Sequence, residues 1–229
     1  MRVYFLVEGQ STESQVYPAW LSYLVPELNR IEYPDIDNEN SYFLIDGAGF
    51  PSIIYTHLPN AIRDVNDCGN YNHLVICLDA DESSVDERVA EIEDFLTTTN
   101  LQISARLNII VQNRCFETWL LGNRTFIRAN PIGAKLLEYK QHYDVRRENP
   151  ELMPNHPNFN TTSQFHYQYL REAFKERGRN LSYGKHNPTK VLTETYLNQL
   201  QRRVESTPTH LQSLQTFFDF CQEIRGQLQ

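Results

Sequence analysis

An α/β fold on a mostly parallel, Rossmann-like central sheet is what this sequence predicts, and three features predict it. Short runs of consecutive apolar residues alternate with longer segments of helical period. The runs are spaced to leave room for a crossover helix between strands, which makes neighbouring strands parallel and puts helices on both faces of the sheet. The alternation fades after residue 123, where helical patterning and a proline- and asparagine-rich stretch take over. The expected organisation is an α/β domain over residues 1–123. A mainly helical extension over 124–229 packs on it and is not independent.

The elements follow in order. "VYFLV" (3–7) is a continuous apolar run, as for a strand covered on both faces. Residues 11–28 read as a helix: Thr12 and Gln15 have capping-box spacing, and Val16, Trp20, Tyr23 and Leu24 form a stripe. Pro18 starts or kinks it. "SYFLI" (41–45) is a second strand, stopped by Asp46-Gly47-Ala48-Gly49, and a helical segment over 51–65 is broken at Pro59. "HLVICL" (73–78) is the third strand. Residues 83–99 form the most regular helix, with a Ser84/Glu87 capping box and Val85, Val89, Ile92 and Leu96 on one face. Residues 106–113 are the fourth strand, and 115–123 begin another helix. A long surface loop is expected over 146–164, then helices near 165–178, 188–204 and 208–228.

The bulk properties narrow the class. The chain has 229 residues, 40% of them hydrophobic, enough for a sizeable core. No signal peptide is expected, because Arg2 is followed by only a short apolar run before Glu8, and no window is long enough to span a bilayer. Cys68, Cys77, Cys115 and Cys221 are scattered without a CxxC pair, which fits free thiols in a reducing cytoplasm. The net charge of −8 conceals a split: residues 1–100 carry 4 Lys/Arg against 18 Asp/Glu, and residues 101–229 carry 17 against 11. An acidic half that holds cations beside a basic half that grips a polyanion has this profile, as does an ordinary solvated surface.

Ligands of open parallel sheets bind beyond the carboxyl ends of the strands. The acids expected there are Glu8, Asp46, Asp79, Asp81 and Glu117. Asp79 and Asp81 are two apart, so extended backbone would point both to one face. Carboxylates gathered in this way call for Mg²⁺, which takes oxygen ligands from one or two carboxylates, water and phosphate. No Cys/His cluster offers a zinc or iron alternative. The set suits phosphodiester chemistry. The plain alternatives are that Asp81 favours the start of the next helix, that Glu8 is a loop residue, and that Asp46 is turn chemistry before Gly47. Glu117 is either a helix N-terminal charge or a further metal ligand.

"FLVEG" followed by "ICLDADE" resembles the Toprim domain of topoisomerases, primases and OLD-type nucleases. Glu8-Gly9 corresponds to its first motif, and Asp79-Ala80-Asp81 to its second. "VEGQSTE", "CLDADE" and "CFETWLLGN" in that order are similar to a bacterial Toprim branch close to RloB. Its Phe-Glu-x-Trp-Leu element is matched by Phe116, Glu117, Trp119 and Leu120, and its C-terminal elements by "SYGKHNPTKVL" and "TFFDFCQEI". The resemblance implies that Glu8 is the general acid/base or a metal ligand and that Asp79 and Asp81 hold Mg²⁺ (or Mn²⁺), with Glu117 as a further ligand. It also implies a nuclease of bacterial anti-phage defence, commonly beside an ATPase. No tyrosine stands in a context for the topoisomerase reaction.

The basic residues divide less clearly. Lys185 and Lys190, in the loop "SYGKHNPTK", could grip phosphates, or the loop could be plain. Arg171, Lys175, Arg177 and Arg179 could follow a nucleic-acid backbone, but their alternation with Glu172 and Glu176 is equally that of a solvated helix. His57, His142, His156 and His166 lack metal spacing. The expected function is a Mg²⁺-dependent nuclease acting on DNA or RNA in the bacterial cytoplasm, with an ATPase or a second copy of the chain as partner and no membrane. The alternatives are a non-catalytic or partner-activated Toprim subunit and, last, a small-molecule phosphohydrolase, whose Asp-x-Asp would follow the first strand.

Overall fold

The computed structural model describes residues 1–36, 38–178 and 181–228. Arg179 of the basic run lies outside them. The fold is α/β, with one all-parallel sheet of five strands. These are β1 (Arg2–Val7), β2 (Asn29–Ile31), β3 (Ser41–Asp46), β4 (His73–Asp79) and β5 (Arg106–Gln112), in the order β2-β3-β1-β4-β5. Strand β2 is too short, at three residues, for an apolar pattern to announce it.

The chain divides into two compact units that interleave along the sequence rather than meeting after Asn123. The first comprises residues 1–78, 85–111 and 216–229; the second comprises 79–84 and 112–215.

In the first unit β1 is buried along its whole length. Alternate side chains of β1 serve opposite faces. Tyr4 stacks edge-on against Phe43 at 5.1 Å and donates its hydroxyl to Asp64 of α2 (Leu58–Cys68). Phe5 faces the other way, 6.0 Å from Phe220 of the C-terminal helix. Phe217 of the same helix meets Tyr17 of α1 (Glu13–Leu24) at 5.3 Å. Each of these rings is worth about 1.5–3 kcal/mol when fully buried. The last helix is therefore part of the sheet's own core, which is why the unit recruits residues 216–229.

Local chemistry departs from the sequence reading in several places. Thr12 has helical backbone angles and makes no side-chain cap bond, so α1 starts without the expected box, and Pro18 lies inside it. A π-helical turn at Ile53–His57 precedes α2. The chain runs without a break from that turn into α2, so Pro59, in the first turn of α2, does not make the break expected of it in the helical segment. On α3 (Val85–Thr99) only Ile92 of the expected stripe is buried. Arg88 is buried with it, its guanidinium 3.9 Å over the Phe50 ring.

The second unit carries α4 (Phe116–Leu121), α5 (Ala134–His142), α6 (Thr162–Lys175) and α7 (Glu194–Ser206), and it begins α8 (Gln212–Leu228). Up to residue 161 the segment 146–164 is the largely irregular, partly exposed stretch expected, but it is pinned to the unit by buried anchors, and α6 begins at Thr162. Asn149, Pro150, Glu151, Met153 and His156 are buried. The reason is polar and aromatic anchoring. The Glu151 carboxylate accepts the backbone N–H of Gln212 (2.8 Å) and Ser213 (2.9 Å) at the start of α8. His156 packs 5.1 Å from Phe165, itself fully buried. The four cysteines are free, three of them buried. Among the described residues no helix is long and apolar enough to cross a membrane.

Candidate functional site

The strand order sets where chemistry can sit. From β1 the chain moves to β2 and β3 on one side, and it then returns to β4 and β5 on the other. The adjacent strands β1 and β4 are thus the topological switch point of the sheet, beyond whose carboxyl ends ligands of open α/β sheets bind. Glu8 follows β1, and Asp79 closes β4.

In the first unit, Glu8 is half-buried and held by its backbone. Its N–H donates to the Cys77 carbonyl (2.9 Å), and its carbonyl accepts the Gly49 N–H (3.0 Å). Its Oε1 accepts the Phe50 N–H at 3.3 Å. The turn after β3 therefore wraps the residue. Asp46 supports that turn by accepting the Ala48 N–H, the turn chemistry expected of it, and Gly49 takes φ +83°. A second carboxylate, not anticipated, stands nearby. Glu13 is buried in the first turn of α1, and its carboxylate folds back on Gly9 so closely that a Cβ there would run into it. The one signal in the sequence is that glycine, since a turn alone would tolerate other residues.

In the second unit, Asp79 is half-buried, and the buried Ala80 donates its N–H to the Gln112 carbonyl (2.9 Å). Asp81 has φ +52°, so the extended backbone that would have aimed it with Asp79 ends at Asp79. Its N–H donates to the Arg114 carbonyl (2.7 Å), and Oδ1 accepts the Ser163 hydroxyl (3.1 Å). The Arg114 guanidinium returns to the carbonyls of Asp81 and Ser83. Glu82 caps α6 by accepting the Thr162 N–H (2.7 Å). Glu117 is 2% exposed and accepts the Tyr183 hydroxyl at 2.9 Å. Its place is fixed by the short, wholly buried helix α4.

Asp79 and Glu117 share a neighbour. Burial first, then the negative charges of Glu117 and Asp79, push the Cys115 thiol well above its ordinary value. Cys115 is thereby held toward its protonated form, while the two carboxylates beside it offer hard oxygen. That donor set fits Mg²⁺ or Mn²⁺, which bind through one or two carboxylates and keep several waters. Among the described residues no group of three or more His, Cys, Asp and Glu is arranged to hold a metal ion.

The basic candidates separate. The exposed Lys185 lies 5.9 Å over the Tyr167 ring, and the exposed Lys190 lines a cleft with Arg177. Lys175 pairs with Glu172 at 2.6 Å, and Arg171 bonds Gln168, the behaviour of a self-paired helix surface. His166 is buried: its Nδ1 takes the Thr118 hydroxyl (2.7 Å) and its Nε2 faces the Met153 carbonyl (3.4 Å).

Comparison with known proteins finds no matching family model, no similar curated protein and no similar solved structure.

Proposed function

We propose that the chain is a metal-dependent phosphodiester hydrolase, a Toprim-type nuclease acting on DNA or RNA. The observation that carries this reading is the strand order: the switch point falls at β1, which Glu8 follows, and β4, which Asp79 closes. In this reading Asp79 and Glu117 would hold Mg²⁺ or Mn²⁺ together with waters and phosphate oxygens, Asp81, turned to Ser163, would support the site without ligating, and Glu8 would be the general acid/base. The bound ion would supply a Lewis acid that activates water and offsets charge on the scissile phosphate.

The chain's own groups do the positioning. Tyr183 fixes Glu117 through Oε1. The Phe50 N–H orients the Glu8 carboxylate, which is half-exposed and can exchange a proton with solvent. The resemblance extends the proposal to a bacterial, cytoplasmic defence effector working with an ATPase or as a homo-oligomer.

The test is incubation of the purified protein with plasmid, single-stranded DNA and total RNA, with Mg²⁺, Mn²⁺ or EDTA. Metal-dependent cleavage is expected, falling about a hundredfold or more in Glu8→Gln and in Asp79→Asn. Cleavage that survives both substitutions sinks the assignment. A second reading, a partner-activated or non-catalytic subunit, is favoured by the lack of a three-ligand cluster among the described residues. It predicts silence across the panel and stable co-purification with an ATPase.

A further inference from the structure

A cleft of about 440 Å³ opens in the second unit, and none of Asp79, Asp81 and Glu117 lines it. Its size is that of a small-molecule site. One wall is aromatic: the Phe126 ring lies 5.5 Å from that of Tyr196. The Arg177 guanidinium sits 5.5 Å over Phe126 and donates to the Phe126 carbonyl, which fixes the orientation of its plane. The lining also brings in the exposed Lys190 and, from the start of α7, Thr193 and Thr195 beside Tyr196. The Thr193 hydroxyl accepts the Tyr196 N–H and donates to the Lys190 carbonyl at 2.9 Å, so it ties the lysine's backbone to the helix start. No carboxylate stands among the described residues that line the cleft.

We propose that this cleft binds a nucleoside 5′-phosphate. The phosphate lies between Lys190 and the first turn of α7, and the base lies against the Phe126–Arg177 stack. Two cations without a carboxylate select an anion, and ammonium and guanidinium groups both suit phosphate. A simple inorganic anion would leave the aromatic wall unused, whereas a base has a flat face that stacks on an aromatic ring or a guanidinium. The ligand's source is either a free mononucleotide or the phosphorylated 5′ end of a strand. The site does not depend on the nuclease assignment.

The experiment is equilibrium titration of the intact protein, in EDTA so that metal chemistry plays no part. The probes are AMP, GMP, CMP and UMP, with adenosine and inorganic phosphate beside them. A 5′-phosphorylated dinucleotide is compared with its 5′-hydroxyl form. Saturable binding of at least one nucleotide is expected, about tenfold or more tighter than adenosine or phosphate alone. Lys190→Glu and Thr195→Glu both change exposed positions, and each is expected to weaken it about tenfold with an unchanged circular dichroism spectrum. Tight binding of the phosphorylated dinucleotide but not of mononucleotides assigns the site to strand ends; the reverse assigns it to free nucleotide. Absence of saturable binding to every phosphorylated probe overturns the proposal. So does equal affinity for inorganic phosphate, or affinity unchanged in both variants.

Discussion

Burial pushes the His166 imidazole down to about 3, with Arg114 adding to the effect and the Met153 carbonyl opposing it. The ring is neutral in the fold at neutral pH, accepting from Thr118 and facing Met153. An unfolded chain binds that proton near pH 6.5. Between roughly pH 6.5 and about 3 the unfolded state thus holds more protons, so the stability contributed is full above that window and lost as pH falls through it. Urea midpoints measured from pH 7.5 down to 5 are expected to fall in the native chain. They should fall less in His166→Gln, which offers the same kinds of hydrogen bond without the charge. The sequence marked this histidine only as lacking metal spacing. Its partners Thr118 and Met153 come from distant segments that no local pattern joins. Glu8 and Asp79 were legible because strand ends can be read from apolar runs. Tyr183 was not, because it reaches Glu117 from 66 residues along the chain, and Glu13 was marked only indirectly, by the glycine it folds back on. Asp81 was misaimed for a third reason: a positive φ ends the period-two rule, and nothing in "DADE" announces it.

Helices of the second unit depend on polar anchors as much as on apolar stripes. The Glu151 carboxylate accepts two backbone N–H groups at the start of α8 and the Ser213 hydroxyl, which in turn accepts the Trp119 indole N–H at 2.7 Å. Replacing it leaves buried donors without an acceptor. Glu151→Ala is expected to cost roughly 2–4 kcal/mol in urea unfolding, and Glu151→Gln less, since one oxygen remains. An effect below 0.5 kcal/mol would show that water replaces the carboxylate. At this scale the strands and the long helices were legible from period alone. The three-residue β2, the short α5 and the buried turn at Pro150–Leu152 were not, because each is too short to show a period.

For the whole molecule, the interleaving of the two units matters more than their order. The first unit returns at residue 216 to take Phe217, Phe220, Cys221 and Ile224 into its core, all buried. Removing 216–229 strips the Phe5 face of β1 and should leave no cooperative unfolding transition by circular dichroism. A truncated chain that keeps a sharp transition would show that the sheet is covered without it. This could not be read from the sequence: the composition shift at 123 is real, but composition reports what a segment is made of and not where it packs.

The contact between Phe5 and Phe220 also fixes a temporal order. A ribosome makes β1 first and must then make all of the second unit before α8 exists to cover it. The sheet therefore waits on the nascent chain with the Phe5 face only partly covered, by α1 but not yet by α8. Anything that slows translation between residues 112 and 215 lengthens the exposure of the most apolar strand in the protein, a period in which a trigger-type chaperone would have most to hold.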